Sequence, residues 1–166
     1  MSKNNIERVN IDLSRIAHGI IGGLLGGIAF GLMMGMMGVL PMIGKMIGQP
    51  TVLAGWGVHL FISAAIGGSF GLFLGGYARN LARSLQAGVA YGALWWLLGP
   101  LTLMPLFLGM GAGVNWNLAA ASNALPSLVG HVLFGGLLGT YFGVFGQRVI
   151  VRWPVGQSRA IAVEEV

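Results

Sequence analysis

The chain has 166 residues, of which 55% are hydrophobic and only 8% charged, with 30 glycines, no cysteine and a formal net charge of +5. A soluble domain carries roughly a quarter charged residues, so an integral membrane protein is expected, and disulfides, thiolate metal sites and cysteine nucleophiles are excluded. No Asp or Glu occurs from Leu13 to Val163, which argues against ion-coupled transport on buried carboxylates and against paired-carboxylate catalysis.

Four apolar stretches, about 16–40, 52–76, 86–108 and 126–147, each approach the ~20 residues that a helix needs to cross a bilayer core. The first is too long for the h-region of a cleavable signal peptide and is expected to stay as a span. Apolar and polar residues do not alternate in short segments, so a β-barrel is not expected. The domain reading is a tail at 1–15, a four-helix transmembrane bundle at 16–147 and a second tail at 148–166.

Span one carries Gly19, Gly23, Gly27, Gly31 and Gly35, one every four residues. Small residues at that spacing let helix backbones approach closely. "PMIGKMIGQP" (41–50) follows and reads as a short interfacial segment between two prolines. Span two adds Gly67, Gly71 and Gly75 to the packing set, and His59 near its start. Span three carries Trp95 and Trp96, whose indole N–H groups need a histidine or a loop carbonyl as partner. The loop at 109–127 is long and polar, with Asn115, Asn117 and Asn123. Span four brings Gly135, Gly139, Gly143 and a second histidine, His131.

The halves align. "GIAFGLMMGMMG" (27–38) lies on "GVAYGALWWLLG" (88–99), and "HLFISAAIGGSFGLFLG" (59–75) on "HVLFGGLLGTYFGVFG" (131–146), His59 on His131. The fold class is therefore all-α, two tandem helical hairpins as a parallel repeat about a pseudo-two-fold axis along the membrane normal. Lys3, Arg8 and Arg15 precede span one, Arg79 and Arg83 join spans two and three, and Arg148, Arg152 and Arg159 follow span four. The positive-inside rule then puts both termini in the cytoplasm. The expected partners are membrane lipids, a second copy or a membrane-complex subunit. Nucleic acid is not expected, because the cations are spread over three membrane-proximal segments.

His59 and His131 sit at a common depth, roughly 8–9 Å below the outer interface at 1.5 Å per residue. Each lies on a small-residue face and should point into the bundle. The plain reading is a hydrogen bond to a serine, a carbonyl or the other histidine. The sharper one is a cofactor site, with His59 and His131 as axial ligands of haem b or as copper ligands with the methionines of the outer half and its loops, Met33, Met34, Met36, Met37, Met42, Met46, Met104 and Met110. Consecutive methionines fan around a helix rather than converge, and Met is a common apolar filler.

"YGALWWLLGPLTLMPLFLGMG" with "ALPSLVGHVLFGGLLGTYFG" resembles a group of small prokaryotic integral membrane proteins related to the YagU-like inner-membrane family. "GMMGVLPMIGKMIGQP" with "GWGVHLFISAAIGGSFG" is similar to the first half of such proteins. The resemblance implies a four-helix inner-membrane fold with no assigned activity, and no site residue to carry over. The expected function is a non-enzymatic structural or interaction component of the plasma membrane. The alternatives are the haem b or copper redox protein and a passive pore or carrier for a small neutral solute, lined by Ser63, Asn115, Asn117 and Thr140.

Overall fold

The computed structural model describes residues 13–146, and every regular element among them is helical. The tails expected at 1–15 and 148–166 lie outside the described residues, save Leu13, Ser14 and Arg15, which open the first helix. In order the elements are α1 (Leu13–Met36), α2 (Leu40–Lys45), α3 (Val52–Leu74) and α4 (Leu81–Leu98), then a π-helical turn (Gly99–Leu103), α5 (Met104–Phe107), α6 (Leu118–Asn123) and α7 (Leu125–Phe145). Four stretches are long and apolar enough to cross a membrane: Leu13–Met36, Val52–Leu74, Leu81–Phe107 and Leu125–Phe145.

Local chemistry sets the boundaries. Thr51, Asn80 and Asn117 each cap a helix, their side-chain oxygens accepting from the N–H of Ala54, Arg83 and Ala120, which satisfies donors that a helix start leaves unpaired. The segment between Pro41 and Pro50 does hold a helix, α2. It packs on the start of α3, with Leu40 buried against Gly55. The third span is one turn longer at its start than its hydropathy indicated, and it bends through the π turn. Pro100 and Pro105 are five residues apart and neither has an N–H to donate. The wide turn closes instead through Met104 N–H onto the Gly99 carbonyl. The Pro100 carbonyl, which Pro105 cannot reach, accepts from Asn115 Nδ2 at 3.3 Å.

Lipid tails are as apolar as leucine, so helices in a bilayer are held by packing and polar contacts rather than by hydrophobic burial. Here α1 runs closely along both α3 and α7, and α7 along α4. The backbones of α3 and α4 meet only sparsely. Their seam is filled by side chains: Tyr91 packs on Phe70 at 5.5 Å and shares a 2.8 Å hydrogen bond with Ser69. Phe70 in turn meets Phe142 edge-on at 5.4 Å. The outward faces carry large exposed apolar side chains, among them Leu25, Leu32, Phe61, Phe73, Leu94 and Leu133, a surface suited to lipid.

Candidate functional site

The glycines of the packing set sort into two interfaces. A Cβ at Gly19 would collide with the Gly67 carbonyl, and one at Gly67 with the Gly19 carbonyl. Gly88 and Gly135 oppose each other in the same reciprocal way, and Gly139 meets Ser84. Gly23 and Gly27 meet Ser63, Gly31 meets Trp56 and His59, Gly71 meets Arg15, and Gly143 meets Leu81 and Ser84. Gly75 lies beside Arg15 and Phe142. Gly35 stands apart: it is exposed, and a Cβ there would make only an ordinary 3.5 Å contact with Leu40. A second face went unread in the sequence. Gly22 and Gly26, also four apart, abut Leu138, Tyr141 and Phe134 of α7, and Gly130 of α7 receives the Phe30 ring. That face joins the two hairpins.

Both histidines bond to main-chain carbonyls, by opposite nitrogens. His59 is buried, and its Nε2 donates to the Gly27 carbonyl of α1 at 2.8 Å. This bond crosses between helices. His131 donates from Nδ1 to the Ser127 carbonyl at 2.7 Å, one turn back on its own helix. A carbonyl only accepts, so each bond fixes a tautomer. The free lone pair of the neutral ring is on Nδ1 in His59 and on Nε2 in His131.

Phe30 packs against both rings. Its centroid is 5.5 Å from His59 and 4.8 Å from His131, edge-on to both. Two imidazoles sharing one iron need an open gap between facing nitrogens. As arranged, His59 Nε2 is committed to Gly27, so only Nδ1 of that ring keeps a lone pair for a metal. The eight methionines lie on α1, α2 and α5 and in the segments that follow them. Met34 is buried in the core, Met33 lies against Gly130, and Met36 and Met37 are exposed. Among the described residues no three His, Cys, Asp or Glu side chains are grouped to hold a metal ion.

The two tryptophans of α4 differ. Trp96 Nε1 donates to the Ala124 carbonyl at 3.0 Å, the loop carbonyl such an indole needs. Trp95 Nε1 is buried and has no partner among the described residues. Around the π turn, Trp116 Nε1 donates to Thr102 Oγ1 at 3.1 Å, and Thr102 Oγ1 donates to the Leu97 carbonyl at 2.8 Å. An open cleft of 310 Å³ lies beside this loop, lined by Leu97, Leu101, Asn115, Trp116, Asn117, Leu118 and Ala121. Of the side chains expected to line a solute path, Asn115 and Asn117 reach this cleft. Ser63 is buried in the α1–α3 seam and Thr140 is exposed on α7.

Comparison with protein-family models, with curated proteins and with solved structures finds no match.

Proposed function

We propose that the chain is a non-enzymatic plasma-membrane component, a packed four-helix unit that acts through its assembly with lipid, with copies of itself or with a larger membrane complex. The observation that carries this reading is the inward use of its small and polar residues. The glycines put backbone on backbone, and His59, Ser69, Tyr91 and Trp96 bond to groups of the bundle itself. A catalytic or coupling site would leave such groups facing a substrate path. His59 is the neighbour of Ser63 by one helical turn, but its Nε2 is held by Gly27, and no carboxylate exists in the spans to complete a triad.

The contacts inside the hairpins support descent from a duplicated hairpin. Gly23 to Gly67 aligns with Ser84 to Gly139, Gly27 to Ser63 with Gly88 to Gly135, and Gly31 to His59 with Gly92 to His131. Between hairpins the pseudo-two-fold relation is loosened, because α1 and α7 meet through Gly22, Gly26 and Gly130 whereas α3 and α4 carry Ile66, Ser69 and Tyr91. The YagU-like resemblance favours an inner-membrane setting.

Orientation and activity class are tested separately. The chain has no native cysteine, so Gln49→Cys and Ala82→Cys report topology cleanly. Impermeant maleimide on whole cells should label the first and spare the second; the reverse pattern refutes cytoplasmic termini. Protein purified in mild detergent should show no Soret band and no stoichiometric copper. Either signal in place would transfer the reading to the redox alternative.

A further inference from the structure

The turn that joins α3 to α4 gathers cations without an acid. Arg79 Nε donates to the Gly76 carbonyl at 2.8 Å, which leaves the N–H groups of its two Nη atoms. The guanidinium of Arg83 lies over the ring of Tyr77, with Cζ 5.9 Å from the centroid, and its N–H fork meets no acceptor among the described residues. Nη1 of Arg15, from the start of α1, stands 3.8 Å from where a Cβ of Gly76 would be. Three guanidinium groups thus lie by two consecutive residues, and a guanidinium keeps its charge at neutral pH. The sequence has no Asp or Glu from Leu13 to Val163.

Apolar side chains surround these cations. Leu72, Phe73, Tyr77, Leu81 and Leu85 are all exposed. Phe73 follows Ser69 by one turn, so it continues the stripe of α3 that meets α4 through the Ser69–Tyr91 hydrogen bond. Arg83 precedes Tyr91 by two turns and opens the matching stripe of α4. The backbones of α3 and α4 meet only sparsely, and Phe73 is 74% exposed. Little of the described chain therefore covers the seam between the Ser69–Tyr91 bond and the turn.

We infer that this end of the seam binds an anionic phospholipid, its phosphate held by Arg79 and Arg83 and an acyl chain laid along Phe73. A phosphate takes paired N–H bonds from a guanidinium fork. A soluble anion would match the cations and leave the apolar strip uncovered. A zwitterionic lipid would cover the strip and leave the excess positive charge unanswered. An anionic lipid does both. The inference rests on the reading of the chain as a unit that assembles with lipid, and names the lipid class.

The test is native mass spectrometry of the full chain, released from detergent micelles that carry equimolar phosphatidylglycerol and phosphatidylcholine with the same acyl chains. Phosphatidylglycerol adducts should exceed phosphatidylcholine adducts by about fivefold or more, the factor that one cation supplies at an anionic surface. Arg79→Gln combined with Arg83→Gln should bring the ratio near unity, and Lys45→Gln should leave it in place. Equal retention of both lipids by wild type, or an undiminished ratio in the double variant, overturns the site and leaves the membrane unit standing; retention of neither lipid overturns both. Excess inorganic phosphate should not displace the lipid; displacement would mean that the anion alone is bound and would refute the acyl contact. Arginines beside a span also bias its insertion. Should the double variant fail to insert, solid-state nuclear magnetic resonance on ¹⁵N-arginine wild type in phosphatidylglycerol vesicles gives a second readout. Lipid ³¹P should dephase the guanidinium signals of Arg79 and Arg83, assigned through Arg79→Lys and Arg83→Lys, and undephased signals refute the assignment.

Discussion

Replacing Gly88 or Gly135 by alanine should destabilise the bundle in proportion to a clash that can be read from the backbone. A Cβ on Gly88 would press on the Gly135 carbonyl oxygen and stand 2.9 Å from Gly139 Cα. A Cβ on Gly135 would press on the Gly88 carbonyl and stand 3.0 Å from Gly92 N. All of these neighbours are main-chain atoms, so no rotamer change relieves the contact. Helices α4 and α7 must part until the contacts are ordinary. Overpacking of this kind costs about 1–3 kcal/mol, and parting also weakens Cα–H···O contacts worth about 0.5–1 kcal/mol each. Each single variant should therefore lose roughly 1–3 kcal/mol, and the double variant less than the sum, because the first separation makes room for the second. Gly57→Ala is the control. A Cβ there meets nothing within 4 Å, and alanine is the better helix former by up to about 1 kcal/mol. It should be neutral or stabilising. The assay is equilibrium unfolding in mixed micelles with rising dodecyl sulfate, followed by circular dichroism. Gly88→Ala and Gly135→Ala unfolding together with wild type, or Gly57→Ala falling with them, would refute the reasoning.

The two histidines should behave unequally in the same assay. His59→Phe removes an interhelical hydrogen bond and should cost about 0.5–2 kcal/mol, whereas His131→Phe removes a bond within one helix and should cost less; equal losses would mean that the cross-helix bond to Gly27 is not what holds His59. Tyr91→Phe and Ser69→Ala should each weaken the α3–α4 seam, and a double-mutant cycle should return a coupling of about 0.5–1.5 kcal/mol; zero coupling would show that the 2.8 Å contact contributes nothing. Asn115→Ala leaves the Pro100 carbonyl without its donor and should loosen the π turn, seen as faster amide exchange at Leu103 and Met104; unchanged exchange there would show that Pro105 alone fixes the turn.

The sequence made the spans legible because each is an uninterrupted apolar run, and the four-residue glycine period made the α1–α3 and α4–α7 seams legible. Gly35 extends that period past the end of the contact: the chain turns at Gly38 just beyond it, and α3 offers no facing backbone. Gly22 and Gly26 share the period in a different phase, one that points to α7, and a single register along α1 hides them. The π turn was written in Pro100 and Pro105. Its reading needs the pairing of each lost donor with a carbonyl, and the carbonyl's rescuer, Asn115, lies in a loop that periodicity does not place. Phe30 was unreadable as the residue packed on both histidines. Its position depends on how the hairpins meet, which no repeat within one hairpin records.

The alignment of His59 with His131 predicts one role, and the structure gives two. The reason lies one turn away, where Ser63 of the first hairpin aligns with Gly135 of the second. In the first hairpin the side chains of Ser63, His59 and Trp56 lie between the helices, against Gly27 and Gly31. That leaves the Gly27 carbonyl within reach of His59 Nε2. In the second hairpin the backbones themselves touch. Gly135 covers the Gly88 carbonyl, the counterpart of the Gly27 carbonyl, and Gly92 lies against the His131 carbonyl rather than its ring. No space remains in that seam for an imidazole. His131 therefore turns back to Ser127 and presents Nε2 to Gly99. Closer packing in the second hairpin thus frees His131 from the kind of cross-helix bond by which His59 braces the first.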